Sequence, residues 1–475
     1  MITGSIVRRA SDLIGAVVLA ARLARHDAWT PATLAAYQRA RALRIIRHAA
    51  ANTRLYGNLY REIALDDTLD LRRLPPVNKA LLMDDVTTSV TDPRLTRTVF
   101  EQQIGRASGD DYLFGSYRVV ATAGTSGLRG LFVYDRAAWR TVIANTLRWQ
   151  RFAGVTPTLP RRTKICTIGA DNPMHVTSRI PLSGDVGLFR LGFVEANQPI
   201  AAQVAALNRF QPDVLLPYSS IAALLAREQI EGRLDIRPRI VGTHSELLTP
   251  DMAHVIAQAW GAPPFNHYGA TEEPHVAIEC TGHHGMHILE DTTMLEVVDD
   301  DLRPVPPGTM GTRWLLTNLY NFAQPLIRYE ITDMLRLAPS GSCPCGRPFA
   351  LLDAVGGRAE DMLRLPRSDG TGEITLTPML LTLAIESFIG VHDYAAEHDA
   401  AGIRVQLVVP APEARRQVEA ALAERLRSEI LRNGAVPPPI TLSFVPALDR
   451  AAQRMGKHAV VRRSRGPVSP GAAVA

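Results

Sequence analysis

Five short polar motifs follow one another along the chain, and their residue types could together bind a nucleoside triphosphate and a carboxylic acid. The first is a glycine loop that could cradle phosphates, and the second places an aromatic face beside a carboxylate. The third ends in a single aspartate, the fourth is a Gly-Arg-acid step, and the fifth contains a late lysine. In chain order the motifs are Ala123–Gly130, His267–Glu272, Arg328–Asp333, Gly357–Asp361 and Met455–Lys457.

The glycine loop follows a strand-like run, Tyr117–Ala121, and places a Thr-Ser pair between two glycines. Glycine lets neighbouring backbone N–H groups point at one phosphate, and the hydroxyl groups add donors. No Gly-Lys-Ser/Thr step follows, so the segment is not a Walker loop. Taken alone, it is better explained as a plain Gly/Ser turn. The residues that could contact phosphate are Gly124, Thr125, Ser126 and Gly127.

The second motif offers groups for a purine, a phosphate and a metal ion. Tyr268 presents a flat face, Gly269 permits close backbone approach, and Thr271 could donate to a phosphate. Glu272 could hold Mg²⁺, a hard cation that prefers oxygen ligands. A strand-end turn with a capping Thr-Glu pair is the alternative interpretation. For His267 we favour a packed, hydrogen-bonded role over a catalytic one.

Two later residues could complete a nucleotide site. Asp333 follows an apolar segment, and a carboxylate there can accept hydrogen bonds from both ribose hydroxyls. Lys457 combines a point charge with a long flexible stem, which suits a group that must reach reacting oxygens. A strand-end aspartate and a solvated tail lysine are the ordinary alternatives, so neither residue is specific by itself.

The order and spacing of these motifs resemble the adenylate-forming superfamily and, within it, the phenylacetate–CoA ligase family, from about Leu34 to Lys457. The resemblance implies an enzyme that joins a carboxylate to AMP and releases pyrophosphate, after which an acceptor attacks the acyl adenylate. It implies ATP, Mg²⁺ and coenzyme A as cofactors, and an aromatic or aryl-acetic acid as substrate. The glycine loop departs from the family pattern Ser-Gly-Thr-Thr-Gly-Lys-Pro, because Leu128 and Arg129 replace Lys-Pro. Arg129 could supply the missing charge.

The resemblance also implies roles for individual residues. Lys457 would bridge the carboxylate substrate and the α-phosphate, and it would act with Thr271 and Glu272 as a catalytic group. Arg358 would contact the nucleotide, and Glu360 would form the hinge, where the family more often has aspartate. The other implied nucleotide-binding positions are Gly124, Thr125, Ser126, Gly127, Arg129, Ser245, Glu246, His267, Tyr268, Gly269 and Asp333.

Three cysteines and a histidine could form a metal site. Cys343 and Cys345 are separated by one residue, and Cys280 lies near the histidines of the segment 283–287. Three thiolates and one imidazole fit a closed tetrahedral zinc site, although four unrelated side chains are the alternative. Some members of the resembled family carry a similar set, in which the histidine precedes a Glu-Asp step as His287 does. The predicted ligands of a structural zinc are Cys280, His287, Cys343 and Cys345, with His283 and His284 as alternatives for the histidine.

Length and composition narrow the class of protein. A chain of 475 residues is too long for one ordinary domain. Its net charge of +5 is concentrated near the C-terminus, but no aromatic residues alternate with those charges as in a single-strand nucleic-acid binder. Four cysteines argue against a disulfide scaffold and favour a reducing cytoplasm. No run of about 18 uncharged apolar residues predicts a transmembrane helix, and Leu13–Ala21 fits an amphipathic helix better than a secretion signal.

Apolar periodicity predicts two kinds of structure in the first three quarters of the chain. Residues 5–65 have the spacing of helices, and from 116 to 335 short apolar runs alternate with helical stretches, as in an α/β layered domain. Strands come closer together from 290 to 337, which indicates an antiparallel region. The strand-like runs are Tyr117–Ala121, Leu131–Tyr134, Lys164–Ile168, Val214–Pro217, Arg239–Gly242, Thr293–Val298, Thr312–Asn318 and Met334–Leu337.

A Gly-Gly pair at 356–357 marks the expected domain boundary. Beyond it, helical patterns at 377–388 and Pro412–Arg432 combine with strand-like runs at Gly402–Val409 and Ile440–Val445. These elements predict a small, mobile α+β domain after a large N-terminal adenylate-forming α/β domain with layered sheets and helices. The expected bounds are 1–356 for the large domain, with a helical start at 1–75, then 357–466 for the small domain and 467–475 for a disordered tail.

We therefore expect an AMP-forming acid–CoA ligase whose acid binds between the segments around Tyr218 and Tyr268. Two alternatives stay open: the acceptor is an amine or the adenylate itself is released, or the fold is degenerate and acts as a binding protein. The missing loop lysine favours a binding protein slightly, whereas the other motif residues argue against it. Expected partners are a small carboxylic acid and coenzyme A or another acceptor, with no nucleic acid and no membrane. A homodimer is left open, and the expected location is the cytoplasm.

Overall fold

The computed structural model divides the chain into two compact units. Among the described residues, the first comprises those up to Val355 except Thr332–Met334, and the second comprises Thr332–Met334, those from Gly356 to 448, and Val461–Arg463. Among the described residues, no helix combines the length and the apolarity that crossing a bilayer requires. The described residues are 2–106, 112–122, 130–158, 160–169, 175–184, 189–196, 198–358, 363–376, 379–386, 388, 391, 393–399, 401–448 and 461–463.

Side chains at the ends of the helices satisfy free backbone groups. The Thr30 hydroxyl accepts a hydrogen bond from the Thr33 N–H at 3.1 Å, and Pro31 occupies the first helical position that follows. Asp135 caps a later helix by accepting from the Ala138 N–H at 2.7 Å. The helices of the first unit are α1 (Ile2–Ala24), α2 (Pro31–Asn52), α3 (Arg54–Leu59), α4 (Lys79–Asp84), α5 (Arg97–Arg106), α6 (Arg136–Phe152), α7 (Val176–Gly184), α8 (Ile200–Phe210), α9 (Ser219–Ile230) and α10 (Pro250–Trp260), with 3₁₀ turns at Arg25–Ala28, Leu71–Arg73 and Val86–Thr88.

Short, largely buried segments form the strands. Two of them have the predicted bounds, and the other predicted strands differ by one or two residues at one or both ends. Six strands of this unit were not predicted, and in Arg190–Glu195 only one of the six residues is buried, so a continuous apolar run is missing. The other five are Phe265–Tyr268, Ala277–Glu279, Met286–Ile288, Tyr329–Ile331 and Leu351–Arg358. The strands are β1 (Tyr117–Ala121), β2 (Leu131–Asp135), β3 (Lys164–Gly169), β4 (Arg190–Glu195), β5 (Val214–Leu216), β6 (Ile240–His244), β7 (Phe265–Tyr268), β8 (Ala277–Glu279), β9 (Met286–Ile288), β10 (Thr293–Val298), β11 (Arg313–Asn318), β12 (Tyr329–Ile331), β13 (Asp333–Leu337) and β14 (Leu351–Arg358).

The main sheet has nine strands in the order β13-β14-β9-β8-β7-β6-β5-β3-β4. Neighbours from β4 to β7 are parallel, and α7, α8, α9 and α10 make the crossovers that parallel pairs require. The neighbours β7, β8, β9 and β14 are antiparallel. A second sheet, β10-β11-β12, is antiparallel as predicted, and β1 pairs with β2 alone. The predicted α/β layered fold is confirmed.

Helix α6 connects the main sheet to the β1–β2 pair. A Cβ atom at Gly242 in β6 would lie 2.5 Å from Cζ2 of Trp149, so the glycine lets α6 pack directly on the sheet. Near the start of α6, the buried ring of Trp139 meets that of Tyr134 edge to face, with centroids 5.7 Å apart. Because both contacts bury large aromatic rings, α6 has a fixed position between the two sheets.

A buried group of charges joins the N-terminal helices to α6. The Asp291 carboxylate accepts from Arg148 Nη1 at 2.8 Å and lies 2.7 Å from Nδ1 of His26. Asp27 lies 3.6 Å from Nη2 of Arg148 and accepts from Arg347 Nε at 3.0 Å. Burial disfavours the charged form of Asp291, but Arg148 and His26 outweigh burial and hold the pKa of Asp291 below its usual range.

The second unit is an α+β module. One helix buries Val418, Leu422, Leu426 and Ile430, a one-sided stripe at four-residue spacing. Its four-stranded sheet has the order β19-β18-β17-β20, in which only the central β17–β18 pair is antiparallel. Among the described residues the elements are β15 (Leu363–Pro366), β16 (Glu373–Leu376), α11 (Met379–Glu386), β17 (Asp393–Asp399), β18 (Gly402–Val408), α12 (Pro412–Arg432), β19 (Ile440–Phe444) and β20 (Val461–Arg463).

Replacing Asp291 with alanine should lower the free energy of unfolding by about 3–5 kcal/mol, because Arg148 would stay buried without its partner. Folding lowers the pKa of Asp291, so its stabilisation is present at neutral pH and is lost as the pH falls through the folded value. Asp301→Ala is the matched control, since Asp301 pairs with Arg303 at 2.8 Å where both side chains are exposed. Urea unfolding at pH 7 measures the two variants, and equal stabilities would contradict this account of Asp291.

Candidate active site

A tight turn at residues 269–274 follows β7 and contains two of the predicted catalytic residues, Thr271 and Glu272. A hydrogen bond from the Ala270 N–H to the Glu273 carbonyl at 2.8 Å closes its backbone. Since β6 and β7 are parallel neighbours, their carboxyl ends lie side by side next to this turn. Ligand sites of α/β sheets form at the carboxyl ends of strands, so the 269–274 turn lies where this fold class places a site.

Gly269 determines how closely the turn folds back on itself. A Cβ atom at this position would lie 2.1 Å from the carbonyl oxygen of Pro274 and 3.3 Å from that of Glu273. No side chain can be accommodated there unless the turn moves. The predicted close backbone approach at Gly269 is therefore an approach of the chain to itself.

Tyr134 connects the 269–274 turn to β2, the strand that follows the glycine loop. Its hydroxyl lies 2.9 Å from the Thr271 carbonyl oxygen and 2.8 Å from the Glu272 carbonyl oxygen. Burial, together with the charge of nearby Glu273, raises the pKa of Tyr134 well above its ordinary value, so the hydroxyl keeps its proton and donates. Strand β2 therefore holds the 269–274 turn through two of its backbone carbonyl groups.

Glu272, the predicted Mg²⁺ ligand, is 9% exposed. Its Oε1 accepts a hydrogen bond from the hydroxyl of Tyr329 at 3.1 Å. Burial and the charge of Glu272 raise the pKa of Tyr329 well above its ordinary value, so this donor is neutral. A neutral donor orients the carboxylate without cancelling its negative charge, which suits a ligand for a hard cation.

Glu273 is a residue of the site that the sequence reasoning missed. It is fully buried, Oε2 accepts from Nδ2 of Asn318 at 2.6 Å, and Oε1 accepts from the Tyr320 hydroxyl at 2.8 Å. Burial raises the pKa of Glu273 to about 8 although these donors act in the opposite direction. The only local signal was a second acidic residue beside Glu272, and its partners lie 45 and 47 residues away.

Tyr268 and His267 precede the turn in β7. Tyr268, predicted to face a purine, is partly exposed, and its hydroxyl accepts from Nε1 of Trp314 at 3.1 Å. His267 is packed, with Nε2 3.0 Å from Nδ1 of His275. Burial lowers the pKa of His267 to about 4, so the ring is neutral at physiological pH. The geometry is that of a packed, hydrogen-bonded histidine.

The segment after β6 lies beside the turn. Ser245 has a φ of +67°, which is uncommon for a residue with a side chain, and its hydroxyl is 3.0 Å from Nδ1 of His244. The Glu246 carboxylate accepts from the Ser220 N–H at 2.9 Å, near the start of α9. Because that N–H belongs to the first turn of a helix, Glu246 holds α9 to the end of β6.

The structure also gives the burial or contacts of three other residues from the predicted motifs and pocket. Tyr218 is fully buried, and its ring meets that of His244 edge to face at 5.3 Å. Arg328, which opens the third motif, is 5% exposed and donates through Nε to Glu296 at 3.0 Å and through Nη1 to the Arg72 carbonyl at 3.0 Å. Asp333 is partly exposed at the start of β13. Arg328 therefore has a structural role.

Several predicted positions lie outside the residues that the structure describes. They include residues 123–129 of the glycine loop, the hinge, the late lysine and the predicted disordered tail. Arg358 is the last residue of β14, and its side chain is not among those that the structure describes. The positions are Gly124, Thr125, Ser126, Gly127, Leu128, Arg129, Glu360, Asp361, Lys457 and 467–475.

Cys280, His287, Cys343 and Cys345 come together as predicted, with their potential ligand atoms all within 4.8 Å of one another. The hairpin of β8 and β9 brings Cys280 beside His287, and the loop before β14 brings the cysteine pair. The Sγ atoms of Cys280 and Cys343 are 3.7 Å apart. Two sulfurs bound to one tetrahedral zinc at about 2.3 Å would be about 3.8 Å apart, so this spacing fits a shared metal ion rather than a disulfide.

The electrostatics of this cluster differ between its members: burial and the neighbouring thiols raise the pKa of Cys343 to about 12, whereas His287 and Cys345 favour the metal-binding form. His287 is 1% exposed, and burial lowers its pKa to about 4, which keeps the imidazole neutral. Burial opposes ionisation of Cys345, but hydrogen bonds from Arg347 outweigh it and hold the pKa of that thiol below its usual range. Neutral imidazole and thiolate are the forms that bind zinc. His283 points elsewhere, with Nδ1 3.5 Å from Glu279.

Comparison with solved structures identifies the class of fold. A 2-hydroxyisobutyryl-CoA ligase in the postadenylation state, in complex with R3-HIB-AMP, matches 93% of this chain and 92% of that chain, with a TM-score of 0.73 and 18% sequence identity. The chain therefore has the fold of the adenylate-forming acyl-CoA ligases. No family model matches the sequence.

Sequence comparison gives more specific relatives, all of them phenylacetate-coenzyme A ligases. The enzyme of Thermus thermophilus is 33% identical over 177 residues, which is 34% of this chain and 37% of that protein. The enzyme of Escherichia coli is 27% identical over 357 residues, 70% of this chain and 72% of that protein. The chain thus matches little more than a third of the length of the first two relatives. The predicted resemblance to the superfamily and to this group of ligases is confirmed.

The raised pKa of Glu273 predicts a pH-dependent stability. The carboxyl of Glu273 has a pKa near 8 in the folded protein and near 4.3 in the unfolded chain. Its contribution to stability is therefore complete at pH values below 4.3 and is lost as the pH rises through 8. The free energy of unfolding should therefore fall between about pH 5 and pH 9, by about 1.4 kcal/mol for each unit of pKa shift.

Glu273→Gln, which has no titrating proton, should remove that slope. Glu62→Gln, at an exposed glutamate, is the matched control and should leave the wild-type profile unchanged. Urea unfolding across this pH range measures all three proteins. If Glu273→Gln keeps the wild-type slope, then Glu273 is not the group that titrates.

Proposed function

We propose that this chain is an AMP-forming acid–CoA ligase. The carboxylate of the acid would attack the α-phosphorus of ATP, and pyrophosphate would leave. The thiol of coenzyme A would then attack the acyl carbonyl, form a thioester and release AMP. The observation that carries the proposal is the 269–274 turn, which presents Thr271 and Glu272 at the carboxyl ends of β6 and β7 in a fold shared with acyl-CoA ligases. An aromatic or aryl-acetic acid is the proposed substrate, because the named relatives are phenylacetate-coenzyme A ligases.

Each of the described site residues would have a separate role in the first step, formation of the acyl adenylate. Tyr268, held by Trp314, would stack on the purine, and Thr271 would donate to a phosphate. Glu272 would hold Mg²⁺, which would neutralise charge on the phosphates. Asp333 would bind the ribose hydroxyls. The backbone next to Ser245 would line the purine pocket, whereas the Glu246 carboxylate is already used by α9.

The remaining roles belong to residues known only from the sequence. The loop Gly124–Arg129 would bind phosphates, and Arg358 would contact the nucleotide. Lys457 would stabilise negative charge on the oxygens exchanged at the α-phosphate, and rotation of the C-terminal domain about Glu360 would remove it before coenzyme A attacks. The proposed location is the cytoplasm.

The Cys280–His287–Cys343–Cys345 cluster would bind one structural zinc ion. Three thiolates and one imidazole fill a tetrahedral shell, so no open position is left for a substrate. The ion would fix the loop that contains Cys343 and Cys345 against the β8–β9 hairpin. Because Arg347 follows that loop and pairs with Asp27 at 3.0 Å, the ion would also hold the buried charges near α6 in place.

The decisive test of the ligase proposal separates the two half reactions. Wild-type protein should catalyse ATP–pyrophosphate exchange with at least one aromatic acid, and it should then form a thioester with coenzyme A. Lys457→Ala should lose exchange by about 10²-fold or more, the scale of losing one preorganised charge-stabilising group. The same variant should convert a synthetic acyl adenylate and coenzyme A to product at nearly the wild-type rate.

Other outcomes of this assay are equally informative. No exchange with any acid in a broad panel would favour the binding-protein alternative. Exchange without thioester formation would favour an amine acceptor or release of the adenylate. Equal loss in both assays would mean that Lys457 is structural or serves both steps, and no loss would mean that it is a solvated tail residue.

The zinc proposal predicts about one zinc per chain in protein purified without added metal. Cys343→Ser combined with Cys345→Ser should lose the metal and lower the melting temperature, and His287→Ala should do the same. His283→Ala is the matched control and should keep the metal, because His283 faces Glu279. Elemental analysis and thermal unfolding measure both effects, and metal-free protein of full stability would contradict the assignment.

A further inference from the structure

Three side chains form a hydrogen-bonded chain from α6 to the 269–274 turn. The hydroxyl of Thr146 lies 2.9 Å from Nε2 of His275, and Nδ1 of His275 lies 3.0 Å from Nε2 of His267. The two rings are 4.8 Å apart and inclined by 34°. His275 is 4% exposed, and Thr146 is partly buried on the inner side of α6. These groups form a connected polar path between a helix and the candidate site.

The path ends at the carbonyl of Pro274. The ring of His267 has already used Nε2 toward His275, so it is Nδ1 that donates to the Pro274 carbonyl. That same carbonyl oxygen is the atom against which Gly269 packs. It therefore determines the shape of the turn that presents Thr271 and Glu272.

The position of each proton follows from this end of the path. With its proton on Nδ1, neutral His267 has a lone pair on Nε2 and must accept from His275. His275 then has its own proton on Nδ1 and a lone pair on Nε2, which accepts from the hydroxyl of Thr146. The reverse arrangement would leave a lone pair of His267 facing the Pro274 carbonyl oxygen. It would also turn the Thr146 hydroxyl to the Val142 carbonyl at 3.1 Å.

Both rings are neutral at physiological pH, which this proton assignment requires. Burial lowers the pKa of His267 to about 4, and burial with the neighbouring His267 lowers the pKa of His275 well below its ordinary value. A charged ring would donate from both nitrogens, and two donors would then face each other across the 3.0 Å contact.

We propose that Thr146 and His275 are positioning residues that stabilise the Nδ1–H tautomer of His267, which the Pro274 carbonyl selects and which holds in place the turn that presents Thr271 and Glu272. This relay, the hydrogen-bonded path of Thr146, His275 and His267, acts through the turn and contacts no reacting atom. Its kinetic consequence rests on the proposed ligase function, because only then do Thr271 and Glu272 act on ATP. The tautomers themselves follow from the structure alone.

The first test measures the tautomers and does not depend on activity. Long-range ¹H–¹⁵N spectra of wild-type protein labelled at the histidine nitrogens distinguish a proton on Nδ1 from one on Nε2. His267→Gln and His275→Gln assign the two signals. Both rings should carry the proton on Nδ1, and a proton on Nε2 of either ring would overturn the proposal.

The second test measures catalysis with matched threonine variants. Thr146→Val should lower kcat of ATP–pyrophosphate exchange about 10-fold with little change in the KM for ATP, because a displaced turn impairs the reaction more than nucleotide binding. Thr146→Ser keeps the hydroxyl and should restore kcat. Thr141→Val is the control, since Thr141 lies in the same helix and its hydroxyl donates only to the Ala137 carbonyl, at 3.3 Å.

The two tests separate failure of the relay from failure of the ligase proposal. If Thr146→Val has the same kcat as Thr141→Val in an active enzyme, the relay is wrong and the ligase function is unaffected. If wild-type protein is inactive with every acid, the ligase function is wrong, and the tautomers alone decide whether the relay exists.

Discussion

The contact between Gly269 and the Pro274 carbonyl is the constraint on which the candidate site depends. It folds a polar turn tightly in the protein interior, where every backbone group needs a partner. The hydroxyl of Tyr134 and the ring of His267 supply partners for carbonyl groups of the turn, and the Glu273 side chain is held by Asn318 and Tyr320. The position of Thr271 and Glu272 therefore depends on residues of β2 and β11 as well as on their own neighbours in sequence.

Buried ion pairs stabilise a second region of the first unit, around Arg148 in α6. Asp291 neutralises Arg148 at the centre of the fold, and Asp27 connects the same guanidinium to Arg347. Arg347 in turn stabilises the thiolate form of Cys345. The helices at the start of the chain, α6 and the cysteine loop are thus linked through a few charges that cannot be replaced one at a time, because each would leave another unpaired.

Local sequence patterns were sufficient to predict many of the helices and strands and several of the residues that could bind ligands or metal. The bounds of Tyr117–Ala121, Thr293–Val298 and Pro412–Arg432 agree with prediction, since periodicity and flanking turn residues are local properties. The set of four metal-cluster residues was also predicted, because cysteine and histidine are recognisable wherever they occur. β4 was missed since an exposed edge strand needs no continuous apolar run.

The sequence by itself determined which residues can carry charge, bind metal or allow tight turns, and it indicated many but not all of the helices and strands. Only the tertiary structure decided that Glu246 caps α9, that Glu273 is buried among Asn318 and Tyr320, and that His275 and Thr146 stand behind His267. The physical reason is the same in each case. A hydrogen-bond partner or the degree of burial depends on segments that are distant in the chain, and no local pattern records which of them the packing of sheet and helices will bring together.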